Sequence, residues 1–391
     1  MKEGAIVAKP YTLIMKIKHV VIKVLMTAFR VCPINRRKIV VCSYFGKGFG
    51  DNGKAIAEAL LKKEPKLDIV WGVKAEFKDT LPSNVRAVEY NSLKYLFALA
   101  TAAAWIDNSR KNAGIIKRKK QFFVQTWHGT VALKRIEQDV EDKLDAFYVA
   151  GAKNDSKMAD VILSGCDFFT KLCKKAFWFN GEIAEVGSPR SDALFNTDAN
   201  KQNEVKKALL IPADKKIILY APTFRADGNL ECYNINFDAV LDELEKKTGE
   251  QWVFCMRLHP NVSDKADFIH YSDRIVNGTN YPDLYELIPA CDLVISDYSS
   301  VMFDAGLINK SVMLFVNDME SYTADRNFYF DIKELPFPVA ENNEELLEHI
   351  INFNEKDYLE KLNGFNKQIG YYENGTAAQT VAERILKEIN G

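Results

Sequence analysis

Short apolar runs alternate with helical patterns along the first half of the chain. The predicted strands lie at residues 38–44, 67–73, 85–90, 103–106, 122–125 and 147–149. Helical patterns separate them, as at residues 55–62 and 92–100. Because strands that alternate with helices form parallel sheets, this order predicts a doubly wound α/β domain.

The same alternation begins again after the polar stretch at residues 196–206. Here the predicted strands lie at residues 216–220, 252–256, 274–276, 293–296 and 312–316, and the helices at 238–247, 282–288 and 300–307. A chain of 391 residues also exceeds the length at which one hydrophobic core usually stops growing. The sequence therefore predicts two Rossmann-like domains, at residues 36–195 and 196–391, after a separate segment at residues 1–35.

The apolar stretch at residues 11–31 is interrupted by Lys16, Lys18, Lys23 and Arg30. A membrane-spanning helix tolerates so many charges poorly, and a signal peptide would need an uncharged core. The stretch instead predicts an amphipathic helix that lies in the plane of an anionic membrane. A helix packed on the protein's own core is the alternative. The apolar positions recur at helical spacing, at Leu13, Ile17, Val20, Val21, Val24 and Phe29.

The net charge and the cysteine content exclude some classes of function. The net charge is −1, and the basic residues form no stripe interleaved with aromatic residues, which argues against a nucleic-acid partner. The seven cysteines form no CxxC pair, so a zinc site is not expected and a reduced, cytoplasmic setting fits best. The basic cluster at residues 110–120 is a second candidate for membrane contact, or else a solvated face.

Two histidines end predicted strands, one in each half of the chain. His128 follows the apolar run at residues 122–127, and His259 follows the run at residues 252–258. Open α/β sheets bind ligands at the carboxyl ends of their strands. A single histidine at a strand end is as readily a core residue as a catalytic one. Two histidines, one at a strand end in each predicted domain, favour an active site. The Gly-rich turn at residues 46–53 lacks the GxGxxG spacing, so we interpret it as a loop facing a cleft rather than a nucleotide fingerprint.

A Ser-rich helix start follows the predicted strand at residues 293–296. Its N–H groups and hydroxyls suit a phosphate, and Asp304 one turn later suits ribose hydroxyls. A simple N-cap is the alternative. The segments at residues 220–225 and 187–190 add a threonine and a guanidinium that can hold phosphate. Since no carboxylates cluster beside them, we expect a phosphorylated ligand and neither a metal ion nor a cofactor.

Four motifs in this order resemble the CDP-glycerol glycerophosphotransferases of wall teichoic acid synthesis. They are WHGT at residues 127–130, APTFR at 221–225, RLHP at 257–260 and SDYSS at 296–300, and the resemblance runs from about residue 38 to the end. It implies the GT-B fold, in which an N-terminal acceptor-side domain and a C-terminal CDP-donor-binding domain face a central cleft. It also implies transfer of glycerol phosphate from CDP-glycerol to a lipid-linked teichoic acid precursor, with release of CMP, at the cytoplasmic face of the cell membrane.

The resemblance also assigns roles to individual residues. His128 is the expected general base that deprotonates the acceptor hydroxyl, and His259 with Arg257 is expected to neutralise charge on the donor pyrophosphate. The other residues expected at the donor are Gly129, Thr130, Arg190, Pro222, Thr223, Leu258, Ser299, Ser300 and Asp304.

Two segments depart from the family pattern. The Arg-Gly-Phe-Tyr segment of the family is RNFY at residues 326–329, and its Pro-Gly-Pro is PFP at residues 336–338. Ribitol phosphate from CDP-ribitol therefore stays open as the transferred group, and a capsular polysaccharide or a polyol-phosphate chain as the acceptor. A GT-B glycosyltransferase that uses a nucleotide sugar and a catalytically silent scaffold are the remaining alternatives.

Overall fold

The computed structural model describes residues 13–225, 228–258, 269–323 and 327–391, which form two compact units. The first unit takes the chain up to Thr130, then Ile136–Asp192 and Tyr371–Gly391. The second takes Val131–Arg135 and Ala193–Gly370. The last segment of the chain thus packs in the first unit, whereas the sequence-based division placed all of residues 196–391 in the second domain.

Parallel strands build one sheet in each unit. The strands are β1 (Asn35–Cys42), β2 (Asp68–Val73), β3 (Arg86–Glu89), β4 (Ala102–Asp107), β5 (Phe122–Gln125), β6 (Val161–Ser164), β7 (Glu182–Glu185), β8 (Lys216–Tyr220), β9 (Trp252–Met256), β10 (Ile275–Asn277), β11 (Leu293–Ser296), β12 (Ser311–Phe315) and β13 (Val339–Ala340). Within the described residues, the first sheet has the order β3-β2-β1-β4-β5-β6-β7 and the second β10-β9-β8-β11-β12-β13. Both contain the Rossmann strand order, so the expected parallel α/β fold is confirmed.

Helices connect these strands. They are α1 (Leu13–Ala28), α2 (Asp51–Lys63), α3 (Leu93–Thr101), α4 (Ala146–Met158), α5 (Asp167–Ala176), α6 (Asp192–Phe195), α7 (Ala199–Ala208), α8 (Phe237–Thr248), α9 (Leu284–Ala290), α10 (Val301–Leu307), α11 (Met319–Thr323), α12 (Asn343–Asn352), α13 (Glu355–Ile369) and α14 (Ala377–Asn390). The strand predicted at residues 147–149 is wrong, because Asp145 caps α4 by accepting hydrogen bonds from the backbone N–H groups of Phe147 and Tyr148.

Both faces of the first sheet are buried. Side chains of a strand alternate between the two faces, so Ile39 and Val41 of β1 enter one core while Val40 enters the other. The first core includes residues of α2 and α14, such as Ile56 and Ile385. The second includes residues of α1 and α3. Burial on both faces explains why these strands read as continuous apolar runs.

Helix α1 carries two apolar faces. One packs in the first unit, where His19 and Met26 are buried. The other is exposed, so packing on the protein's own core accounts for only part of the apolar pattern. Along the described chain, no helix combines the length and apolarity needed to cross a membrane. The exposed apolar residues of α1 are Leu13, Ile14, Ile17, Val20, Val21 and Val24.

The basic cluster at residues 110–120 does not form one solvated or membrane-facing surface. Arg110 and Lys111 are buried. Arg110 pairs with Glu137 at 2.8 Å and with Asp155 at 3.1 Å, and Lys111 pairs with Asp107. The prediction of a surface cluster is therefore wrong for these two residues, because buried carboxylates neutralise them inside the first unit.

Candidate active site

His128 lies just beyond the carboxyl end of β5, beside two aromatic rings. Its imidazole stacks on Trp127, with ring centroids 4.3 Å apart, and meets the ring of Tyr44 edge-on at 5.7 Å. Trp127 has a φ of 53°, in the left-handed region that bulky residues rarely adopt. Such strain persists where the surrounding contacts fix the backbone. The loop that carries His128 is therefore held in a defined conformation by its neighbours.

A backbone hydrogen bond defines which nitrogen of His128 can accept a proton. Nδ1 lies 2.8 Å from the carbonyl oxygen of Asn108, which can only accept a hydrogen bond. The neutral ring therefore carries its proton on Nδ1 and its lone pair on Nε2. Burial lowers the pKa of His128, while the hydrogen bond to Asn108 and the charge of Asp51 act in the opposite direction. A neutral imidazole with a lone pair on Nε2 is what a general base requires.

Asp51 gathers the polar groups beside His128. Its carboxylate accepts hydrogen bonds from the side-chain amide of Asn108 at 2.9 Å and from the hydroxyl of Tyr44 at 2.7 Å. It also pairs with Arg190 at 2.6 Å. Burial alone would raise the pKa of Asp51, but Arg190 and the two hydrogen bonds lower it. Arg190, expected at the donor phosphates, thus directs its guanidinium at a carboxylate of its own unit.

The two residues after His128 differ in their surroundings. A Cβ atom added to Gly129 would meet no described atom within 4 Å, so open space lies beside the backbone of the residue that follows His128. Thr130 is buried, and its hydroxyl lies 2.8 Å from the hydroxyl of Ser188 and 3.3 Å from a carboxylate oxygen of Glu373. The contacts of Thr130 therefore fix the end of the loop within the first unit.

In the second unit, the loops after β8 and β11 meet at the switch point of the sheet. Asp297 accepts hydrogen bonds from the backbone N–H of Thr223 at 2.9 Å and from its hydroxyl at 2.6 Å. Arg225 pairs with Asp297 at 2.8 Å and with Asp318 at 2.5 Å. Pro222 is buried beside them. These contacts give the loop after β8 a fixed shape at the strand edge where Rossmann sheets bind ligands.

Arg257 and Leu258 follow β9 on the neighbouring strand. The guanidinium of Arg257 donates hydrogen bonds to the carbonyl oxygens of Gly278 at 3.1 Å and Tyr281 at 2.8 Å. Burial lowers the pKa of Arg257. Leu258 is buried, and its backbone N–H donates to the hydroxyl of Thr279. The guanidinium is therefore oriented by backbone carbonyls, which carry no net charge, and the charge of Asp283 favours its protonated form.

The Ser-rich segment begins α10 as predicted. Ser299 and Ser300 are partly exposed, and Ser300 is the N-cap residue but makes no side-chain capping hydrogen bond. Asp304 is buried and accepts a hydrogen bond from the hydroxyl of Tyr285 at 2.7 Å. The two serines therefore lie where a ligand could reach them, whereas the carboxylate of Asp304 is engaged inside the unit.

Some of the predicted chemistry lies outside the described residues. His259 and Pro260 of the RLHP motif and Arg326 of the RNFY segment are among them. Within the described part of the chain, no group of three or more His, Cys, Asp or Glu side chains is arranged to hold a metal ion. All seven cysteines are free thiols.

The family described as CDP-Glycerol:Poly(glycerophosphate) glycerophosphotransferase matches residues 24–387. The chain belongs to this family. It is similar to the teichoic acid poly(glycerol phosphate) polymerase of Bacillus subtilis (strain 168), with 33% identity over 375 residues, which cover 91% of this chain and 49% of that protein. It is also similar to the teichoic acid glycerol-phosphate transferase of Staphylococcus aureus (strain NCTC 8325 / PS 47), with 32% identity over 371 residues, 90% of this chain and 94% of the relative.

Among solved structures, the wall teichoic acid polymerase TagF is similar to this chain. The two share 29% sequence identity and superpose with a TM-score of 0.83, over 96% of this chain and 97% of the TagF chain. The chain spans about half the length of the Bacillus subtilis polymerase that it matches. The family predicted from the four motifs is confirmed.

The predicted site residues fall into two groups, one in each unit. Gly129, Thr130 and Arg190 join His128 in the first unit, and the predicted residues from Pro222 to Asp304 that the structure describes lie in the second. Sequence reasoning missed Asp51 and Asp297 as organising residues. The Gly-rich turn before Asp51 was a signal for the first, and the SDYSS motif contains the second.

Proposed function

We propose that this protein transfers glycerol phosphate from CDP-glycerol to a lipid-linked teichoic acid precursor and releases CMP. The observation that carries the proposal is the hydrogen bond from His128 to the carbonyl oxygen of Asn108, which leaves Nε2 as the proton acceptor. Membership of the glycerophosphotransferase family supports CDP-glycerol as the donor. We also propose that the two units are the domains of a GT-B enzyme, with the first on the acceptor side and the second on the donor side.

In the proposed reaction, Nε2 of His128 takes the proton of an acceptor hydroxyl. The hydroxyl oxygen then forms a bond to the phosphorus that carries glycerol, and the bond from this phosphorus to the bridging oxygen of CDP breaks. CMP leaves with the electron pair of that bond. The general base contributes because a neutral hydroxyl is a weak nucleophile, and removing its proton raises its reactivity.

The second unit offers groups suited to the donor. Arg257 supplies a positive charge that backbone carbonyls orient, and Ser299 and Ser300 supply hydroxyls at a helix start. Cations and hydroxyl donors stabilise the negative charge that grows on the leaving CMP. Thr223 shapes the same strand edge through its hydrogen bonds with Asp297. His259 is proposed as a further donor-side residue because it belongs to the same motif as Arg257.

A donor panel tests the proposal. The purified chain is incubated with a lipid-linked acceptor and with CDP-glycerol, CDP-ribitol or a nucleotide sugar, each labelled in the group to be transferred. We expect CMP release and transfer of label together with phosphate from CDP-glycerol. Faster transfer from CDP-ribitol would replace glycerol by ribitol as the transferred group. Release of a nucleoside diphosphate with transfer of a bare sugar would contradict phosphoryl transfer altogether.

We further propose that α1 holds the protein at the cytoplasmic face of the cell membrane. Its exposed apolar residues are accompanied by the exposed side chains of Lys16, Lys18 and Lys23. An apolar face with basic neighbours binds an anionic bilayer, because the apolar side chains enter the acyl boundary while the lysines meet lipid phosphates. Of the alternative anchor at residues 110–120, Arg110 and Lys111 are buried and cannot meet a membrane, whereas Lys119 and Lys120 are exposed.

Vesicle binding by an Ile17→Asp variant tests the role of α1. Ile17 is 54% exposed, and losing its burial in the bilayer should weaken binding to phosphatidylglycerol vesicles about tenfold or more. The matched control is Ile351→Asp, because Ile351 is 51% exposed and lies on α12 in the second unit. Sedimentation should show weaker binding for the Ile17 variant alone. Equal binding by both variants and by the unaltered chain would contradict the proposal.

A further inference from the structure

The first turn of α2 lies beside His128, although no motif of the sequence connects them. Gly53 permits this approach, because a Cβ atom there would lie 2.8 Å from the hydroxyl of Ser43 and 2.9 Å from the side chain of Val41. Contacts that short require a shift, so a larger residue would disturb the packing of α2 against the end of β1. Gly53 therefore allows the first turn of α2 to pack closely against the end of β1. Asp51 and Asn52 are carried to the site by this packing.

We propose that Asp51 and Asn52 are positioning residues for His128, which fix the orientation of its ring and the proton on Nδ1. The inference rests on the proposed function in so far as His128 is the general base. Asp51 acts through Asn108: it accepts the hydrogen bond of the Asn108 side chain at 2.9 Å, and the carbonyl oxygen of Asn108 receives Nδ1–H of His128 at 2.8 Å. A ring held by its Nδ1–H keeps a single tautomer.

Asp51 has a second route to the imidazole. The hydroxyl of Tyr44 donates to Asp51 at 2.7 Å, and the ring of Tyr44 meets the ring of His128 edge-on. The backbone N–H of Tyr44 also donates to the side-chain oxygen of Asn108 at 2.8 Å. Tyr44, Asn108 and Asp51 thus form a closed set of hydrogen bonds on one side of the imidazole, and the carboxylate is the acceptor that joins them.

Asn52 holds the residue that precedes His128. Its side-chain amide donates to the carbonyl oxygen of Trp127 at 3.0 Å, and its side-chain oxygen accepts from the backbone N–H of Arg190 at 3.0 Å. Asn52 is buried, so these hydrogen bonds have no water to replace them. Trp127 adopts a strained backbone conformation with a φ of 53°. The amide of Asn52 therefore stabilises the strained turn from which His128 projects.

Three charged groups act on His128, and they make its ionisation depend on this network. Asp51 and Glu137 favour the protonated ring, whereas Arg190 disfavours it, and burial lowers its pKa more than any of them. Replacing Asp51 with asparagine removes a negative charge near His128 but leaves the positive charge of Arg190. The pKa of His128 should then fall further, which leaves the ring neutral near pH 7. Any loss of rate at this pH must therefore come from misplacement of the His128 ring and not from its protonation.

The test compares Asp51→Asn and Asn52→Ala in the full chain. Asparagine tolerates the φ of 60° that Asp51 adopts, so the first variant keeps its backbone conformation. We expect kcat to fall about 10- to 100-fold in both variants, as misplacement of a reacting group predicts, with the donor KM changed less than about threefold. The control is Asp192→Asn, because Asp192 accepts hydrogen bonds from the N–H groups of Ala377 and Ala378 in the same unit.

The decisive readout is the tautomer of His128, measured by ¹⁵N NMR of histidine-labelled protein. Five histidines are present, and a His128→Asn sample assigns the signal. We expect one Nδ1–H tautomer in the unaltered chain and in Asp192→Asn, and a mixture in the two variants. An unchanged tautomer, or a change in KM alone, would overturn the inference. A tautomer change in a chain that transfers no polyol phosphate would instead overturn the proposed function and leave the positioning role standing.

Discussion

Replacing His128 with asparagine is expected to lower kcat by about 10² to 10⁴-fold, the usual contribution of a general base. The asparagine amide can keep the hydrogen bond that Nδ1 makes to Asn108 at 2.8 Å, but it offers no basic nitrogen in place of Nε2. Packing and local hydrogen bonding are therefore largely retained, and the loss isolates proton transfer. Steady-state release of CMP at saturating CDP-glycerol measures the effect.

The control for this substitution is His349→Gln. His349 lies on α12 in the second unit, and its Nε2 bonds to the carbonyl oxygen of Val339 at 2.9 Å, where the glutamine amide can substitute. This variant should retain the activity of the unaltered chain. Retained activity in His128→Asn would remove the imidazole from the mechanism. A large rise in donor KM without a fall in kcat would make His128 a binding residue.

The pH dependence provides a second check on the same residue. Since burial lowers the pKa of His128, the ring stays neutral to a lower pH than an ordinary histidine does. An ordinary histidine would be half protonated at about pH 6.5. The unaltered enzyme should therefore keep more than half of its plateau kcat/KM at that pH, and the rate should fall only as the pH drops through the lowered value.

The sequence predicts the sheets better than the contacts around His128. Strand β5 lies where the apolar run at residues 122–125 predicts it, because a strand that is buried on both faces needs a continuous apolar run. Strand β7 has no such signal, since two of its four residues are glutamates on a partly exposed edge. The strand predicted at residues 147–149 failed because the cap at Asp145 outweighs three strand-favouring residues.

In the candidate site, too, some residues have a local sequence signal and others do not. His128 could be identified because a strand end and a motif mark it, whereas Asp51 depends on partners far along the chain. Asn108 and Arg190 lie 57 and 139 residues from Asp51. Similarly, the charge of Arg110 gives no sign that Glu137 and Asp155 neutralise it inside the first unit. Local patterns report which residues enter a core, but pairings over such separations exist only once the fold has formed.

In the second unit, Arg225→Met is expected to lower the free energy of unfolding by about 3–5 kcal/mol. The side chain of Arg225 is 4% exposed and lies between Asp297 and Asp318, so its removal leaves two buried carboxylates without their cation. Its guanidinium also donates to the carbonyl oxygen of Thr223 and lies over the ring of Tyr298, 5.1 Å from the centroid. The midpoint of denaturant unfolding, monitored for the second unit, measures the change.

Arg274 provides a matched control, because it too pairs with several carboxylates but does so at the surface. Its side chain is 30% exposed, and those of its partners Asp238 and Asp242 are 78% and 67% exposed. Water already solvates these carboxylates, so Arg274→Met should lower stability by less than about 1 kcal/mol. Adding Asp318→Asn to Arg225→Met should recover part of the loss, since one unpaired charge is then removed. Equal effects of the two arginine substitutions would show that burial of the carboxylates that pair with Arg225 does not determine the loss of stability.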